Sequence, residues 1–456
     1  MRLGLVAVAA LVGCDDPYDD GLGWFPCGEV ECLEVEVPAD RDRPGAGELI
    51  LQVARYRATG NRIGPLVMNY GGPGGWTTPR VEGFANAYPE LAERFDLVAI
   101  DPRGTEHGSV LSACMPAIDA LMELEFDALE GEAFDAQRAA RADWMGGCRD
   151  IDPLLADNLG ALDTVADFEE VRTLLGDEPF TYMGFSWGAS LGQLYADAHP
   201  DSLRAVYLDG VRRPGGTYQE FVGDQVTGFQ GVFEDWQAWC AGSEECPLSD
   251  DPEGAVAALL ADLRAAPLPG PEGRDLTYAR AWNGVAGPLY AEDLWPLPGT
   301  AVDEALQGMP ETLLAIADSF VGRSPSGDYR PTFAVYYLTQ CHDLALPTDD
   351  DDTIAAAEVA MEESPLFGAG LLLEPLTCLA ADTVNEPLPD FVDAAGAPTI
   401  LVVGGENDPA TPYEESVLVS EALDDAVLLT WTGNGHVAFG TSACVTEAAF
   451  AYLIEG

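Results

Sequence analysis

Short apolar runs recur along the chain, and amphipathic segments separate many of them. Residues 30–38 and 48–58 alternate or cluster β-forming side chains, which predicts a pair of strands. Six further runs are mainly apolar, as buried parallel strands are, and they span residues 65–69, 96–100, 180–183, 205–208, 399–403 and 426–431. Residues 164–175 have helical spacing and end before Gly176. Strands that alternate with helices predict an α/β fold around a mostly parallel sheet.

The alternation stops after residue 212, where the chain becomes rich in Trp, Pro and helical patterns. We predict a mainly helical lid at residues 213–376, inserted between two strands of the sheet. The core domain then comprises residues 14–212 and 377–456, after a signal peptide at residues 1–13. The acidic run at residues 349–352 predicts a solvated loop or a helix start, and a calcium site is the less favoured interpretation.

The N-terminal residues have the features of an export signal. Arg2 precedes an apolar run that leads to Cys14, and this run is too short to span a bilayer. The segment LVGC at residues 11–14 resembles a bacterial lipobox, in which the cysteine is acylated. We therefore predict a lipoprotein of the bacterial cell envelope, with Cys14 as the lipidation site and no other membrane contact. An ordinary signal peptide and a secreted protein are the alternative.

Export implies an oxidising compartment, in which cysteines pair. The nine cysteines after Cys14, taken in chain order, predict four disulfides and leave Cys444 unpaired. The predicted pairs are Cys27–Cys32, Cys114–Cys148, Cys240–Cys246 and Cys341–Cys378. The chain has four histidines and no paired cysteines at metal spacing, so the sequence predicts neither a metal site nor a cofactor.

The charge of the chain is strongly unbalanced. It contains 78 acidic residues and 21 basic residues, all of them arginine, and its formal net charge is −57. Phosphates repel such a polyanion, which excludes nucleic acid and anionic membrane surfaces as partners. Residues 331–456 contain 22 acids and no Lys or Arg, so we expect a negative field there that attracts a substrate's ammonium group.

A G-x-S-x-G motif at residues 184–188 is the first candidate for chemistry. Its serine, Ser186, directly follows the predicted strand at residues 180–183 and precedes small residues that begin a helix. That setting is typical of a nucleophile elbow, in which a strained turn exposes the serine oxygen. A structural serine at a strand end is the alternative.

A serine nucleophile needs a base, and the base needs an acid that orients it. His436 follows the predicted strand at residues 426–431, and Asp408 follows the one at residues 399–403. Both therefore lie at the strand ends that also carry Ser186, and the order Ser, Asp, His is that of α/β-hydrolases. We predict Ser186, Asp408 and His436 as the catalytic residues.

Other residues compete for two of these roles. Glu406 lies close to Asp408 and is the alternative acid, but a turn at Asp408-Pro409 holds Asp408 more firmly. The other histidines are less suitable bases. His199 follows a helix, His107 lies in a loop and His342 belongs to the insertion.

A glycine-rich segment, YGGPGG at residues 70–75, directly follows the predicted strand at residues 65–69. Glycines let backbone N–H groups approach a developing oxyanion closely. A phosphate-binding loop is the rival interpretation, but no GK[ST] follows and Pro73 lacks an N–H donor. We predict that the N–H groups of Gly72 and Trp187 form an oxyanion hole.

Together these motifs resemble those of the tripeptidyl aminopeptidase-like serine peptidases of the α/β-hydrolase superfamily, which are relatives of the prolyl aminopeptidases. The resemblance covers nearly the whole chain, through NYGGPGG, DPRG, GFSWGASLG, LDG, GENDPATP, GNGH and the Cys341-x-Asp343 pair. It implies an α/β-hydrolase fold with an inserted helical lid, and it carries the family's triad over to Ser186, Asp408 and His436.

The chain departs from the family's pattern around the acyl pocket, at Tyr70, Trp76, Trp187 and Val437. These departures concern the substrate preference more than the mechanism. We expect Gly71, Trp76 and Asp343 to contact the substrate. Asp343 and the acids of the predicted lid are the candidates for binding its ammonium group, and the sequence does not choose among them.

The sequence thus predicts an exported serine hydrolase. The favoured activity is that of an aminopeptidase, which releases short peptides or single residues from substrates with a free N-terminus. A carboxylesterase of the same fold and a non-catalytic surface lipoprotein are the alternatives. The protein is expected to act as a monomer without a cofactor.

Overall fold

One central sheet organises the molecule, and the computed structural model describes residues 21–105, 109–248 and 250–455. Within those residues nine strands form the sheet: β1 (Phe25–Cys27), β2 (Val30–Pro38), β3 (Glu48–Tyr56), β4 (Gly64–Asn69), β5 (Phe95–Ile100), β6 (Phe180–Phe185), β7 (Leu203–Asp209), β8 (Ile400–Asn407) and β9 (Ala426–Asn434). Every strand predicted from the sequence is present. The prediction missed β1, because a strand of three residues is too short to show a pattern.

The strands follow the order β1-β2-β3-β5-β4-β6-β7-β8-β9 across the sheet. β1, β2 and β3 pair in antiparallel fashion, and β3 also pairs antiparallel with β5. All the other neighbouring pairs, from β5-β4 to β8-β9, are parallel. The chain runs from β4 to β5 on one side and then returns to β6 on the other side of β4. Ligands of α/β sheets bind at such a switch point, beyond the carboxyl ends of the strands. The predicted fold class is confirmed.

Helices cover both faces of the sheet and its carboxyl edge. In the described part of the chain the α-helices are α1 (Val81–Ala87), α2 (Pro89–Arg94), α3 (Ile118–Met122), α4 (Gly131–Ile151), α5 (Pro153–Ala156), α6 (Ala161–Leu174), α7 (Trp187–Ala198), α8 (Tyr218–Gly242), α9 (Pro252–Ala265), α10 (Tyr278–Ala286), α11 (Pro296–Leu306), α12 (Glu311–Phe320), α13 (Thr332–Asp343), α14 (Asp350–Glu363), α15 (Gly368–Leu372), α16 (Leu376–Ala381), α17 (Tyr413–Ala422) and α18 (Ala443–Glu455). The predicted helix at residues 164–175 corresponds to α6. The acidic run begins α14, where the Asp349 side chain accepts a hydrogen bond from the N–H of Asp352.

The nine helices α8 to α16, among the described residues, lie between β7 and β8 and pack into a helical layer with its own buried core. Residues 110–159 contribute to that same core, through Leu111, Trp144 and Leu159. We call the layer formed by residues 110–159 and 218–381 the cap. The sequence analysis grouped residues 110–159 with the sheet, but α4 packs against α16. Periodicity shows that a helix has an apolar face and leaves open what that face packs against.

The four predicted disulfides are present, and Cys444 is unpaired and exposed. Three of them lie within the cap, where Cys114–Cys148 joins the segment after β5 to α4, Cys240–Cys246 joins the end of α8 to the loop after it, and Cys341–Cys378 joins α13 to α16. Paired cysteines are typical of oxidising compartments and fit an exported or secreted protein.

Across the described ranges, no helix combines the length and the apolarity needed to cross a membrane. In the same ranges, no three His, Cys, Asp or Glu side chains are grouped in a way that could hold a metal ion. The signal peptide at residues 1–13, the lipidation of Cys14 and the position of His107 lie outside the described residues.

Candidate active site

Ser186 lies at the sharp turn between β6 and α7. Its backbone angles are φ 56° and ψ −130°, and a positive φ is strained for a residue with a side chain. The turn leaves no space for larger neighbours. A Cβ atom at Gly184 would lie 2.3 Å from the carbonyl oxygen of Gly188, and a Cβ atom at Gly188 would lie 2.5 Å from that of Asn69. The turn therefore has the geometry of a nucleophile elbow, and both glycines of the motif are sterically required.

The loop that follows β4 packs directly against this turn. The Asn69 side chain accepts a hydrogen bond of 2.8 Å from the N–H of Gly71. A Cβ atom at Gly71 would lie 2.9 Å from the Cβ of Ser186 and 3.0 Å from the nitrogen of Trp187, so only glycine fits. Trp187 is the first residue of α7, and its N–H has no partner within the helix. The assignment of Gly72 and Trp187 as oxyanion donors stays a prediction.

The DPRG segment after β5 holds this loop in place. The carboxylate of Asp101 accepts hydrogen bonds from the N–H groups of Thr77 and Thr78, at 2.7 and 2.9 Å. Arg103 is buried and donates two hydrogen bonds, of 2.7 and 2.8 Å, to the carboxylate of Asp167 on α6. The motif therefore positions the glycine-rich loop and contributes no side chain to the cavity described below.

His436 and Asp408 meet at the carboxyl ends of β9 and β8. Nδ1 of His436 lies 2.9 Å from each carboxylate oxygen of Asp408. Asp408 is buried, and it also accepts hydrogen bonds of 2.9 Å from the N–H groups of Ala410 and Thr411 and from the Thr411 hydroxyl. These donors fix the carboxylate, so it holds the imidazole in one orientation. The sequence analysis did not identify Thr411, although the motif GENDPATP contains it.

Two effects oppose each other in setting the pKa of His436. Burial lowers it, but the charge of Asp408 and its hydrogen bond raise it by more, so the pKa lies above its ordinary value. Nε2 of His436 is buried and has no hydrogen-bond partner among the described residues. Because Nδ1 is engaged by Asp408, Nε2 is the nitrogen that remains able to accept a proton.

Asp209, at the end of β7, positions the loop that carries His436. Its buried carboxylate accepts hydrogen bonds from the N–H groups of Ala438 and Phe439, at 3.0 and 2.8 Å. Burial raises the pKa of Asp209 to about 6. A Cβ atom at the next residue, Gly210, would lie 2.9 Å from Cε1 of His436, so glycine is required there too. These two residues account for the LDG motif.

A cavity of about 690 Å³ lies between the strand ends and the cap. Ser186 and His436 both line it, and so do Gly71, Gly72 and Trp187. Its other walls are mainly aromatic, formed by Tyr70, Phe84, Tyr88, Phe126, Phe185, Phe221, Phe229, Trp282, Tyr290, Phe320, Phe333, Tyr336, Tyr337 and Phe439. A concave, mostly apolar site with a few polar groups is typical of substrate binding.

Charged groups are few in this cavity, and most of them are cations. Among the described residues, Glu374 is the one carboxylate in its lining, whereas the lining arginines are Arg80, Arg141 and Arg212. Burial raises the pKa of Glu374 to about 7, although the neighbouring Arg141 acts in the opposite direction. Glu374 belongs to the predicted lid, whose acids were candidates only as a group, and the sequence did not single it out. A lone acid within the apolar segment LLLEPL was the available signal.

Of the three residues expected to bind substrate, Gly71 lines the cavity and Trp76 and Asp343 do not. Asp343 is buried elsewhere, where its carboxylate accepts a hydrogen bond of 3.0 Å from the N–H of Ala161 and lies 2.9 Å from Nδ1 of His342. Asp343 therefore holds the start of α6. The structure corrects the expectation that it binds the substrate's ammonium group, because the carboxylate is enclosed on all sides.

The competing candidates within the described residues are also away from the cavity. His199 is the C-cap residue of α7, where its ring packs 5.3 Å from that of Tyr195. His342 is buried in α13. The side chain of Glu406 is exposed to solvent, so it cannot replace Asp408 beside the imidazole.

The sequence is similar to those of several known proteins. The pattern of the alpha/beta hydrolase fold family matches residues 64–443. Serine protease Hip1 of Mycobacterium tuberculosis is 32% identical, over 99% of this chain and 94% of its own. Carboxylesterase B of the same species is 31% identical, over 93% of this chain and 84% of its own. Tripeptidyl aminopeptidase of Streptomyces lividans is 26% identical, over 96% of this chain and 85% of its own.

These matches extend over nearly the whole chain, and they agree with the strand order and with the elbow that carries Ser186. The chain therefore belongs to the alpha/beta hydrolase fold family, and it is a serine hydrolase.

Proposed function

We propose that this serine hydrolase is an exported aminopeptidase that releases short peptides or single residues from the N-terminus of its substrates. The observation that best supports the proposal is the Asp408–His436 pair, whose imidazole lines the same large cavity as Ser186. Two similar proteins, named as a serine protease and a tripeptidyl aminopeptidase, favour a peptide substrate over other acyl compounds.

The proposed cycle follows from the roles of the side chains. Nε2 of His436 takes the proton of the Ser186 hydroxyl as its oxygen attacks the scissile carbonyl carbon. Asp408 stabilises the imidazolium, while the N–H groups of Gly72 and Trp187 bind the oxyanion of the tetrahedral intermediate. His436 then protonates the leaving amine. Water, deprotonated by the same imidazole, hydrolyses the acyl-enzyme and restores Ser186.

Glu374 is our proposed ligand for the substrate's ammonium group, in place of Asp343. It is the one described carboxylate in the cavity lining, and its negative charge complements a free N-terminus. A fixed carboxylate also sets the distance between the ammonium group and the bond presented to Ser186. It would therefore determine how many residues are released.

Substrate profiling tests this function directly. Protein lacking residues 1–14 is expected to cleave p-nitroanilides of one- to three-residue peptides with a free N-terminus, and to cleave their N-acetylated counterparts much more slowly. The comparison isolates the ammonium group because both series present the same scissile bond. Equal rates for the two series would reject the aminopeptidase assignment.

A carboxylesterase is the second candidate, since one similar protein carries that name and the mainly aromatic walls suit an apolar ester. The same three side chains would serve both reactions. Activity on short p-nitrophenyl esters together with none on any peptide amide would favour this candidate.

Replacing Glu374 by glutamine is expected to lower kcat/KM for a free tripeptide p-nitroanilide by about 10- to 100-fold, the usual contribution of a charged hydrogen bond. The value for an N-acetylated p-nitrophenyl ester should change little. Glu362→Gln, an exposed change on α14 in the cap, is the matched control. Equal losses on both substrates, with an unchanged melting temperature, would contradict the assignment.

The pH dependence gives a second measurement of the same group. Because the pKa of Glu374 is about 7, its carboxylate is protonated as the pH falls below 7 and loses its charge. His436 titrates with both substrates, so the ratio of kcat/KM for the amine substrate to that for the ester isolates Glu374. Below pH 7 the substrate's α-ammonium, whose ordinary pKa is about 8, stays protonated. In the wild type the ratio should therefore rise from pH 5.5 to 7.0, and in Glu374→Gln it should stay constant over that range.

A further inference from the structure

The arginines of this chain are unevenly paired. Most described arginines form ion pairs, as expected in a protein with 78 acidic residues. Within the described ranges, the arginines without an ion pair are Arg80, Arg94, Arg141, Arg204, Arg212 and Arg330, and three of these six line the cavity. A strongly acidic protein therefore encloses a site whose own charges are mainly positive.

Arg212 is a buried cation in this site that forms no ion pair within the described residues, although the charges of Glu415, Asp224 and Asp343 act on it from farther away. Its side chain is 7% exposed, and the hydrogen bond described for its guanidinium is to the carbonyl oxygen of Gly215, at 3.1 Å. The nearby carboxylate of Glu415 is engaged by Arg213, at 3.1 Å. A buried charge that contacts no opposite charge is costly, so its presence in a cavity wall points to an anion that arrives from outside.

Arg212 is also held rigidly, as a recognition residue must be. Its backbone carbonyl accepts hydrogen bonds from Ser190 and Gln193 on α7, at 3.2 and 2.8 Å. Its guanidinium lies 4.3 Å from the ring centroid of Phe221, which limits the movement of the side chain. The segment after β7 that carries the guanidinium is thus tied to α7, the helix that follows Ser186.

The other two lining arginines are explained differently. Arg141 donates hydrogen bonds to Gln137, Thr377 and the carbonyl oxygen of residue 126, and Glu374 lies close enough to offset its charge. Arg80 is exposed at the rim, where its guanidinium lies 4.8 Å from the ring centroid of Tyr70. Solvent therefore satisfies Arg80, hydrogen-bond acceptors and the charge of Glu374 satisfy Arg141, and Arg212 remains.

We propose that Arg212 binds a carboxylate of the substrate, so that the enzyme prefers peptides with Asp or Glu among the released residues. This inference rests on the proposed function for the direction in which the peptide binds. Tyr336, Arg212 and Glu374 all line the cavity, and the phenol of Tyr336 interacts electrostatically with both charged groups. An acidic residue near a free N-terminus presents an ammonium group and a carboxylate that match this pair.

Matched substrates test the preference without any mutation. A set of tripeptide p-nitroanilides would carry Glu or Gln, and Asp or Asn, at each position in turn. At one position the acid should exceed its amide in kcat/KM by about 10-fold or more, because a carboxylate–guanidinium contact is charge-assisted. No position with such a preference would overturn the proposal.

Variants then assign the preference to this side chain. Arg212→Gln can still donate to Gly215 but has no charge, and it should reduce the acid-to-amide ratio to about one by raising KM for the acidic substrate. Arg212→Lys should restore part of the ratio. Arg323→Gln, which removes a cap arginine paired with Asp318, controls for net charge and should keep the ratio. A ratio that Arg212→Gln leaves unchanged would overturn the proposal.

Esters separate this inference from the peptidase assignment. The mono-p-nitrophenyl ester of adipic acid carries a free carboxylate at the end of its acyl chain. The p-nitrophenyl ester of adipic acid monoamide has an uncharged amide in that place. If peptides are not cleaved but the acidic ester is preferred and Arg212→Gln removes that preference, the anion site stands and the aminopeptidase proposal fails. If peptides are cleaved without any acid preference, the aminopeptidase proposal stands and the anion site fails.

Discussion

Replacing Ser186 by alanine is expected to lower kcat on any substrate by on the order of 10⁴ to 10⁶, because the acyl-enzyme can no longer form. Labelling by a fluorophosphonate probe should disappear in the same variant, since the probe reacts with the activated serine oxygen. The fold should be unaffected, because the hydroxyl is half-buried at the turn and β6 and α7 are held by their glycines and backbone hydrogen bonds.

Ser202→Ala is the control for this experiment, because it removes a serine hydroxyl a short distance after α7 and away from the cavity. It should keep full labelling and turnover. Probe labelling that survives in Ser186→Ala, or turnover within 10-fold of the wild type, would reject Ser186 as the nucleophile.

Replacing Asp408 by asparagine is expected to have the second-largest effect, a loss of about 10⁴ in kcat with little change in KM. The carboxylate accepts from Nδ1 of His436 through both oxygens, and an amide cannot stabilise the imidazolium in the same way. Its amide nitrogen would also face the N–H groups of Ala410 and Thr411, which donate to the carboxylate. Steady-state kinetics on the best ester or amide substrate measures the loss.

Glu406→Gln is the matched control, since it neutralises an exposed acid in the same loop. If this variant lost activity and Asp408→Asn retained it, the two residues would have to exchange roles. The pH profile adds a readout that loss of stability would not produce. Because the charge of Asp408 raises the pKa of His436, the residual activity of Asp408→Asn should extend to lower pH than that of the wild type.

The parts of the site that could be predicted from the sequence depend on local requirements. The residues around Ser186 are small because the elbow itself leaves no room for a Cβ at Gly184 or Gly188. Asp408 and His436 each follow a strand, and parallel strands bring their carboxyl ends to one edge of the sheet. The disulfides follow chain order because each joins two consecutive cysteines, which are 5, 34, 6 and 37 residues apart.

The residues that line the cavity could not be predicted in this way. Asp343 and Glu374 are both acids in helical, apolar surroundings, yet one is enclosed beside α6 and the other faces the cavity. Their difference depends on how α13, α15 and α16 pack against α4 and α8. Residues 110–159 show the same limit, since the sequence analysis assigned them to the core domain and the structure places them in the cap.

The charges of this protein illustrate both what the sequence determines and what the tertiary structure decides. The amino-acid sequence by itself determined the net charge of −57, the strand and helix series and the order of Ser186, Asp408 and His436, because each is a property of composition or of short segments. Only the tertiary structure decided that Arg212 and Glu374 line the cavity in which Ser186 lies, with three arginines and one acid in its wall. Burial and charge pairing arise between segments far apart in the chain, and no local pattern encodes them.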